Sequence, residues 1–447
     1  MSERADVAVV GAGCAGLAAA RELAAAELST VVLEARDRIG GRVHTVRDVG
    51  LDHPIELGAE FVHGPAPDVN EIARAAGLRS VPLSGSRWRA AGGELERGDD
   101  FWDRVGQILG RLDDRAEPDR SFMEWLGSAA ASDLSEADRE MAIEYVAGFH
   151  AADPSEVGER WLARQGGGGE GSDVEAALRS ARITEGLDRV PAWLARALPP
   201  ESLRLGHSVH HIEWESGSVR LTARRSAGGP VVIDARAAIV TIPVGVLRAH
   251  PDEPGGIGFA PDIVERRGAL ERLAMGSVTR LVLRLEEPFW EARRSHSIDA
   301  RLDDLGFLQT PECVFRVWWT PAPLETPVLV GWTGGPRARA LAGRDAGTLA
   351  ERALRELAGA LGLPAGSLGG LLVRAYAHDW EHDPYSRGAY TYGRVGGSEA
   401  GAELARPLAD TLFFAGEATD ASDEATVQGA IASGRRAAEQ VVRVLGA

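Results

Sequence analysis

Three glycines, an acid and two arginines near the start of the chain have the types and spacing of a phosphate-binding device. Gly11, Gly13 and Gly16 stand in the run Gly11-Ala12-Gly13-Cys14-Ala15-Gly16, and Glu34 follows after one helix-length and one strand-length of sequence. In such a pattern the first glycine permits a tight turn, the second lets backbone approach a pyrophosphate, and the third packs helix against strand. The unpaired N–H groups of the helix N-terminus then face the phosphates, and the acid accepts hydrogen bonds from a ribose. Arg36 and Arg42 flank a second glycine pair, Gly40-Gly41, and their forked guanidinium groups suit a tightly held pyrophosphate. Glycine turns also serve ordinary loops, so the flanking elements decide the reading.

Those elements are legible. Val7-Ala8-Val9-Val10 is a short apolar run, Leu17 to Leu23 opens a helical pattern, and Thr30-Val31-Val32-Leu33 is a second apolar run ending in Glu34. Strand, glycine turn, helix and strand make a complete βαβ unit, and a bound dinucleotide is the expectation.

The segment Glu34-Ala35-Arg36-Asp37-Arg38-Ile39-Gly40-Gly41-Arg42 resembles the FAD-binding pattern of the flavin-containing amine oxidases, an acid followed by Ala-Arg-x-Arg-x-Gly-Gly-Arg. The resemblance is closest to polyamine oxidases, spermine oxidases and the related histone demethylases. It runs from the first strand to the last helix and is strongest at the two ends. It implies an α/β fold, a Rossmann-like FAD-binding domain of the amine oxidase type with an inserted α+β substrate-binding domain. The expected order is FAD-binding domain over 1–81, helical substrate-domain part over 82–182, FAD-binding domain over 183–258, second substrate-domain part over 259–372, and FAD-binding domain over 373–447.

By the same resemblance FAD contacts Gly11, Gly13, Ala15, Gly16, Glu34, Arg36, Gly41 and Arg42. Gly58, Ala59, Glu60 and Phe61 pass beside the isoalloxazine ring, Val209 offers backbone to the adenine, and Trp380 leads to the ring's substrate side. Gly416 and Glu417 lie near the ribityl and pyrophosphate groups, with Thr426 and Val427 at a helix N-terminus facing the ring. Ala389 stands where covalently flavinylated relatives have cysteine, so non-covalent FAD is expected.

Four residues would line the reacting position: His63, Arg280, Tyr390 and Thr426. Imidazole at His63 could hold or deprotonate an amine near neutral pH; the alternative is a residue capping a turn before Pro65. Tyr390 falls at an aromatic wall that positions an amine over the ring. Thr426 replaces a second aromatic wall, leaving a half-open cage for a longer or bulkier amine. Arg280 stands where these oxidases place a lysine implicated in the reaction with dioxygen. Arginine keeps the charge but is larger, forked and practically never deprotonated.

Composition agrees with a soluble enzyme. The 447 residues carry a net charge of −17, which disfavours nucleic acid and weakly favours cationic substrates. All 49 basic residues are arginine, which excludes lysine Schiff-base chemistry. Two cysteines imply a reducing compartment without a disulfide framework. No secretory start and no apolar run of about 18 residues is visible, so a cytoplasmic protein with no membrane association is expected. His207, His210 and His211 lack a ligand cluster and read as structural, with no metal expected. The aromatic residues from Trp88 to Trp161, and Trp318-Trp319, read as core packing, and the glycines at 166–169 as a loop at a cavity mouth.

The expected function is an FAD-dependent amine oxidase. Hydride passes from the carbon next to nitrogen to the flavin, water hydrolyses the imine, and dioxygen is the acceptor, giving hydrogen peroxide. The rival keeps the fold but is a dehydrogenase, desaturase or isomerase of a natural-product-like substrate, favoured by Arg280. A third reading is a flavoprotein acting as a regulatory partner.

Overall fold

The computed structural model describes residues 3–98, 100–166, 179–292, 294–295 and 300–446, so most of the glycine-rich loop expected from 166 lies outside the described residues. Its first layer is a mixed sheet of eight strands. Strand β1 (Glu3–Val10) lies between β2 (Thr30–Leu33) and the strand Val231–Val240, parallel to both. A strand flanked on both sides and covered on both faces must be apolar throughout, and Val7 to Val10 are buried without alternation.

Register then fixes the site. Val10 pairs with Leu33 and with Val240, and Val240 pairs with Phe414. Four strands therefore end level, and the residues after them, Gly11, Glu34, Thr241 and Ala415-Gly416, share one sheet edge. In open parallel sheets that carboxyl edge is where ligands bind.

Helix α1 (Cys14–Ala25) crosses behind this edge and packs on the C-terminal helix Val427–Leu445. The two helices approach so closely that a Cβ on Gly434 would lie 2.1 Å from the Ala15 carbonyl oxygen. Leu17, Leu23, Ile431 and Val441 are fully buried in the shared core.

The second layer is a seven-stranded sheet ordered Leu372–Ala377, Val278–Leu285, Val328–Gly334, Val317–Trp319, Leu305–Gln309, Ser86–Ala91, Glu94–Arg97. Side chains alternate across a sheet, and here the two faces do different work. Leu281, Leu283, Leu308, Trp318 and Leu329 form a core beneath the helix Ala346–Ala360. Val282, Phe307, Val317, Trp319, Val330 and Trp332 face the other way and cluster with Ile55 and Leu57.

Strand pairing departs from the expected ranges at two boundaries, and the expected helical range is not helical throughout. The part expected to be helical opens with two strands, Ser86–Ala91 and Glu94–Arg97, before the helices Phe101–Leu109, Phe122–Leu126, Glu136–Phe149 and Glu159–Gly166. The strand Gly258–Ala260 extends the first sheet, and the helix Val264–Arg272 packs on its core, so the crossing falls after Met275 rather than at 259. The strand Leu372–Ala377 pairs with Val278–Leu285 and closes the second sheet instead of opening the last flavin-domain segment. In each case strand pairing, not composition, decides membership. Among the described residues no helix is long and apolar enough to cross a membrane.

Replacing Gly434 by alanine should push the C-terminal helix off α1. We expect a loss of about 1–3 kcal/mol, the range for overpacking a tight contact, read by denaturant unfolding.

Candidate active site

The glycine turn is held by contacts that only glycine allows. Gly11 has φ +104°, and a Cβ on Gly16 would sit 2.0 Å from the Gly11 carbonyl oxygen. Gly13 has nothing within 4 Å of such a Cβ, so its backbone borders open space. Glu34 is buried, and its carboxylate accepts hydrogen bonds from Ala12 N (2.8 Å) and Arg36 N (2.9 Å). The acid thus fixes the turn, and a carboxylate keeps further acceptor capacity for a ribose.

Arg36 and Arg42 are both already partnered within the chain, Arg36 by residues the sequence did not single out and Arg42 by Glu417. Arg36 donates to Asp383 (2.8 Å) and to the Ser386 hydroxyl (2.9 Å). Burial works to raise the Asp383 carboxyl, but hydrogen bonds from His378 and Arg36 outweigh it and hold it well below the usual range. Arg42 donates to Glu417 (2.7 Å) and the Ala389 carbonyl (2.9 Å), and Thr391 donates to the same Glu417 oxygen (2.8 Å). Each guanidinium is therefore braced in place before any phosphate arrives.

A cavity of about 1530 Å³ runs from this turn into the second layer. Gly11, Gly13, Ala15, Glu34, Arg36, Gly41, Arg42, Val209, Trp380, Gly416, Glu417, Thr426 and Val427 line one part of it. Gly16 lies behind the turn rather than on the wall, and acts by close packing. Gly58 approaches Arg42 so closely that a Cβ there would lie 1.9 Å from the Arg42 carbonyl oxygen. Trp380 is buried and donates to the Leu57 carbonyl (2.9 Å), fixing the adjoining wall. A level edge of backbone, a long cleft and two braced cations fit a dinucleotide such as FAD.

His63, Arg280 and Tyr390 line the same cavity, as does Thr426. His63 Nδ1 is 2.9 Å from the Ser180 hydroxyl, and burial pulls the imidazole down to about 4, so it is neutral at pH 7. Tyr390 donates its hydroxyl to the Phe149 carbonyl (2.6 Å), which fixes the ring as a wall. Thr426 is committed to helix capping: it accepts from Gly429 N (3.0 Å) and donates to the Asp423 carbonyl (2.7 Å).

Arg280 is buried at 4% exposure, and its guanidinium pairs with Glu60 while lying 5.2 Å over the Trp319 ring. Glu60 also binds Arg182 (3.0 Å) and accepts from Trp319 Nε1 (3.1 Å). Burial works to raise the Glu60 carboxyl, but Arg280 and Arg182 together hold it below its ordinary value. Glu60 lines the cavity with Gly58, Ala59 and Phe61, and its carboxylate is taken up by these three side chains. Two cations and one anion leave a net positive charge.

Sequence reasoning missed Arg182, Trp319, Trp332 and Phe149. The aromatic residues had been read as core; Trp318 is core, but sheet alternation turns Trp319 into the cavity, and Trp102, Tyr145 and Phe149 line it too. Another missed residue is Glu424, whose Oε2 accepts from Trp161 Nε1 (2.8 Å) and Gln165 (3.3 Å). Burial pushes its carboxyl up to about 8.

The fold and cleft define a dinucleotide-dependent oxidoreductase. The family model for flavin containing amine oxidoreductases matches residues 14–442, and the chain belongs to that family, whose cofactor is FAD. Polyamine oxidase 2 of Arabidopsis thaliana is 29% identical over 98% of this chain and 89% of its own length. Lysine-specific histone demethylase 1 homolog 2 of the same plant is 28% identical over 98% of this chain, which spans 58% of that relative. Among solved structures, putrescine oxidase bound to putrescine has a TM-score of 0.78 at 23% identity, covering 99% of this chain and 100% of that one. Cyclohexylamine oxidase from Brevibacterium oxydans has a TM-score of 0.77 at 22% identity, with the same coverage. The chain is accordingly an FAD-dependent amine oxidoreductase acting on CH–NH or CH–NH2 groups.

Two outcomes test the site. Glu60→Ala leaves Arg182 and Arg280 uncompensated and should cost about 3–5 kcal/mol in denaturant unfolding. For Glu424, a carboxyl raised in the folded state contributes stability that is full below the ordinary carboxylate pKa and is lost as pH rises through about 8. The Tm of the parent protein should therefore fall relative to that of Glu424→Gln between pH 5 and 8.

Proposed function

We propose that this chain is an oxidase of small amines: hydride leaves the carbon bonded to nitrogen, water hydrolyses the resulting imine to carbonyl and amine, and dioxygen takes up the electrons as hydrogen peroxide. FAD, when bound, supplies the hydride acceptor. The observation that carries the reading is that His63, Tyr390 and Arg280 share one cavity with the braced dinucleotide cleft.

The protein's own residues divide the remaining work. Hydride can leave only when the amine nitrogen has its lone pair, so a neutral imidazole at His63 is suited to accept a hydrogen bond from the substrate N–H and hold it in that state. Tyr390 and the surrounding rings exclude water and set the approach of the carbon. Arg280 keeps a positive charge at the position where relatives carry lysine, and Glu60 fixes its orientation. That same commitment to Glu60 favours the second reading, a dehydrogenase that passes electrons elsewhere.

Anaerobic mixing with a panel of amines, followed by admission of air, separates the readings. Bleaching of the flavin absorbance by an amine, then fast recovery with peroxide, is the expected result. Bleaching with slow recovery means a dehydrogenase, and no bleaching by any amine refutes the proposal. His63→Asn should lower kcat/KM about 100-fold, at the low end for a general acid–base group, with the bound-flavin spectrum retained.

A further inference from the structure

The substrate half of the cavity is walled by a continuous arc of rings. Trp332 and Trp319 have centroids 5.8 Å apart, Trp319 and Phe307 6.2 Å, Phe307 and Phe61 6.4 Å, Phe61 and His63 5.9 Å, and His63 and Phe149 5.9 Å. Trp102 and Tyr145 then close on Phe149 at 6.0 and 5.1 Å. All eight line the cavity, and the one imidazole among them, His63, is uncharged at neutral pH.

The acids that meet this arc are already spent. Glu60 is held by Arg182, Arg280 and Trp319. Glu144 receives Arg337 in a two-point contact at 2.9 and 3.0 Å, with Arg316 at 3.5 Å. Each carboxylate is held between two arginines. The whole chain has 66 acidic against 49 basic residues, yet among the described residues the cavity lining carries at least as many arginines as acids. Of the other acids lining the cavity, Glu96, Asp100, Glu140 and Glu312 are exposed, Asp423 is half-buried, and the free oxygen of Glu424 lies 3.7 Å from where a Cβ on Gly401 would sit.

We propose that this chamber selects a monoamine with a ring-bearing or otherwise apolar body and rejects linear diamines and polyamines; the proposal rests on the amine reading above and names its substrate class. A second ammonium would enter a ring-lined chamber whose Glu60 and Glu144 carboxylates are each already held between two arginines, and like charges brought together oppose binding. The same repulsion favours the neutral form of the one nitrogen that must react. The ring body gains by stacking on aromatic walls.

The test uses the FAD-loaded enzyme with benzylamine, cyclohexylamine and butylamine against putrescine, spermidine and spermine. Flavin bleaching gives turnover, and thermal stabilisation by each amine gives binding independently. We expect the ring-bearing amines to exceed the polyamines in kcat/KM by about 10- to 100-fold, as burial of one ring would give. Phe307→Ala should lower the ratio of kcat/KM for benzylamine over butylamine about tenfold. A preference for spermine or putrescine, or an equal effect of Phe307→Ala on both monoamines, overturns the substrate class and leaves the amine reading standing. Failure of every amine to bleach the flavin or stabilise the protein overturns both.

Discussion

One buried carboxylate joins the parts of this protein that must agree for a site to exist. Glu60 follows the flavin-domain segment that passes Arg42; Arg182 lies on the strand returning from the helical insertion; Arg280 lies in the second sheet. A buried anion needs its cations, and buried cations need their anion. The three segments are therefore tied at one point, and that point is the wall of the reacting cavity. Because arginine does not lose its proton in proteins, the two positive charges held there do not titrate away.

Around that point the two sheets contribute in different ways. The first supplies a level edge, because four strands end in register and the turn, the acid and two later loops meet there. The second supplies a surface, because alternation turns Arg280, Phe307, Val317, Trp319 and Trp332 into the cavity. A shift of one residue would exchange Trp318 for Trp319, placing a core ring in the chamber and a chamber ring in the core. Specificity in the chamber thus depends on the same pairing that builds the core.

This division explains how much was legible in the sequence. The βαβ unit is local: its strands, turn and helix lie within about forty residues, and each glycine has a steric reason that can be stated without a structure. His63, Arg280, Tyr390 and Thr426, named from the family pattern, all border the one large cavity. Asp383 and Arg182 could not be found this way, since each is one charged residue among many and its partner is more than a hundred residues distant. The residues at 86–97 read as helical, and the strand at 372–377 as part of the other domain, for a related reason: strand membership is decided by hydrogen bonding across the sheet. Trp319 and Trp332 looked like core because apolar pattern reports burial, and a closed cavity buries its wall as fully as a core does.

The absence of lysine acquires a meaning in light of the chemistry. Amine oxidation releases carbonyl compounds at the mouth of the enzyme that makes them, and the side-chain groups most prone to condense with an aldehyde are primary amines. This chain offers none, since all 49 of its basic residues are arginine, and its two thiols, Cys14 and Cys313, are buried. Arg280 belongs to a composition whose side chains leave a product aldehyde no amine to modify.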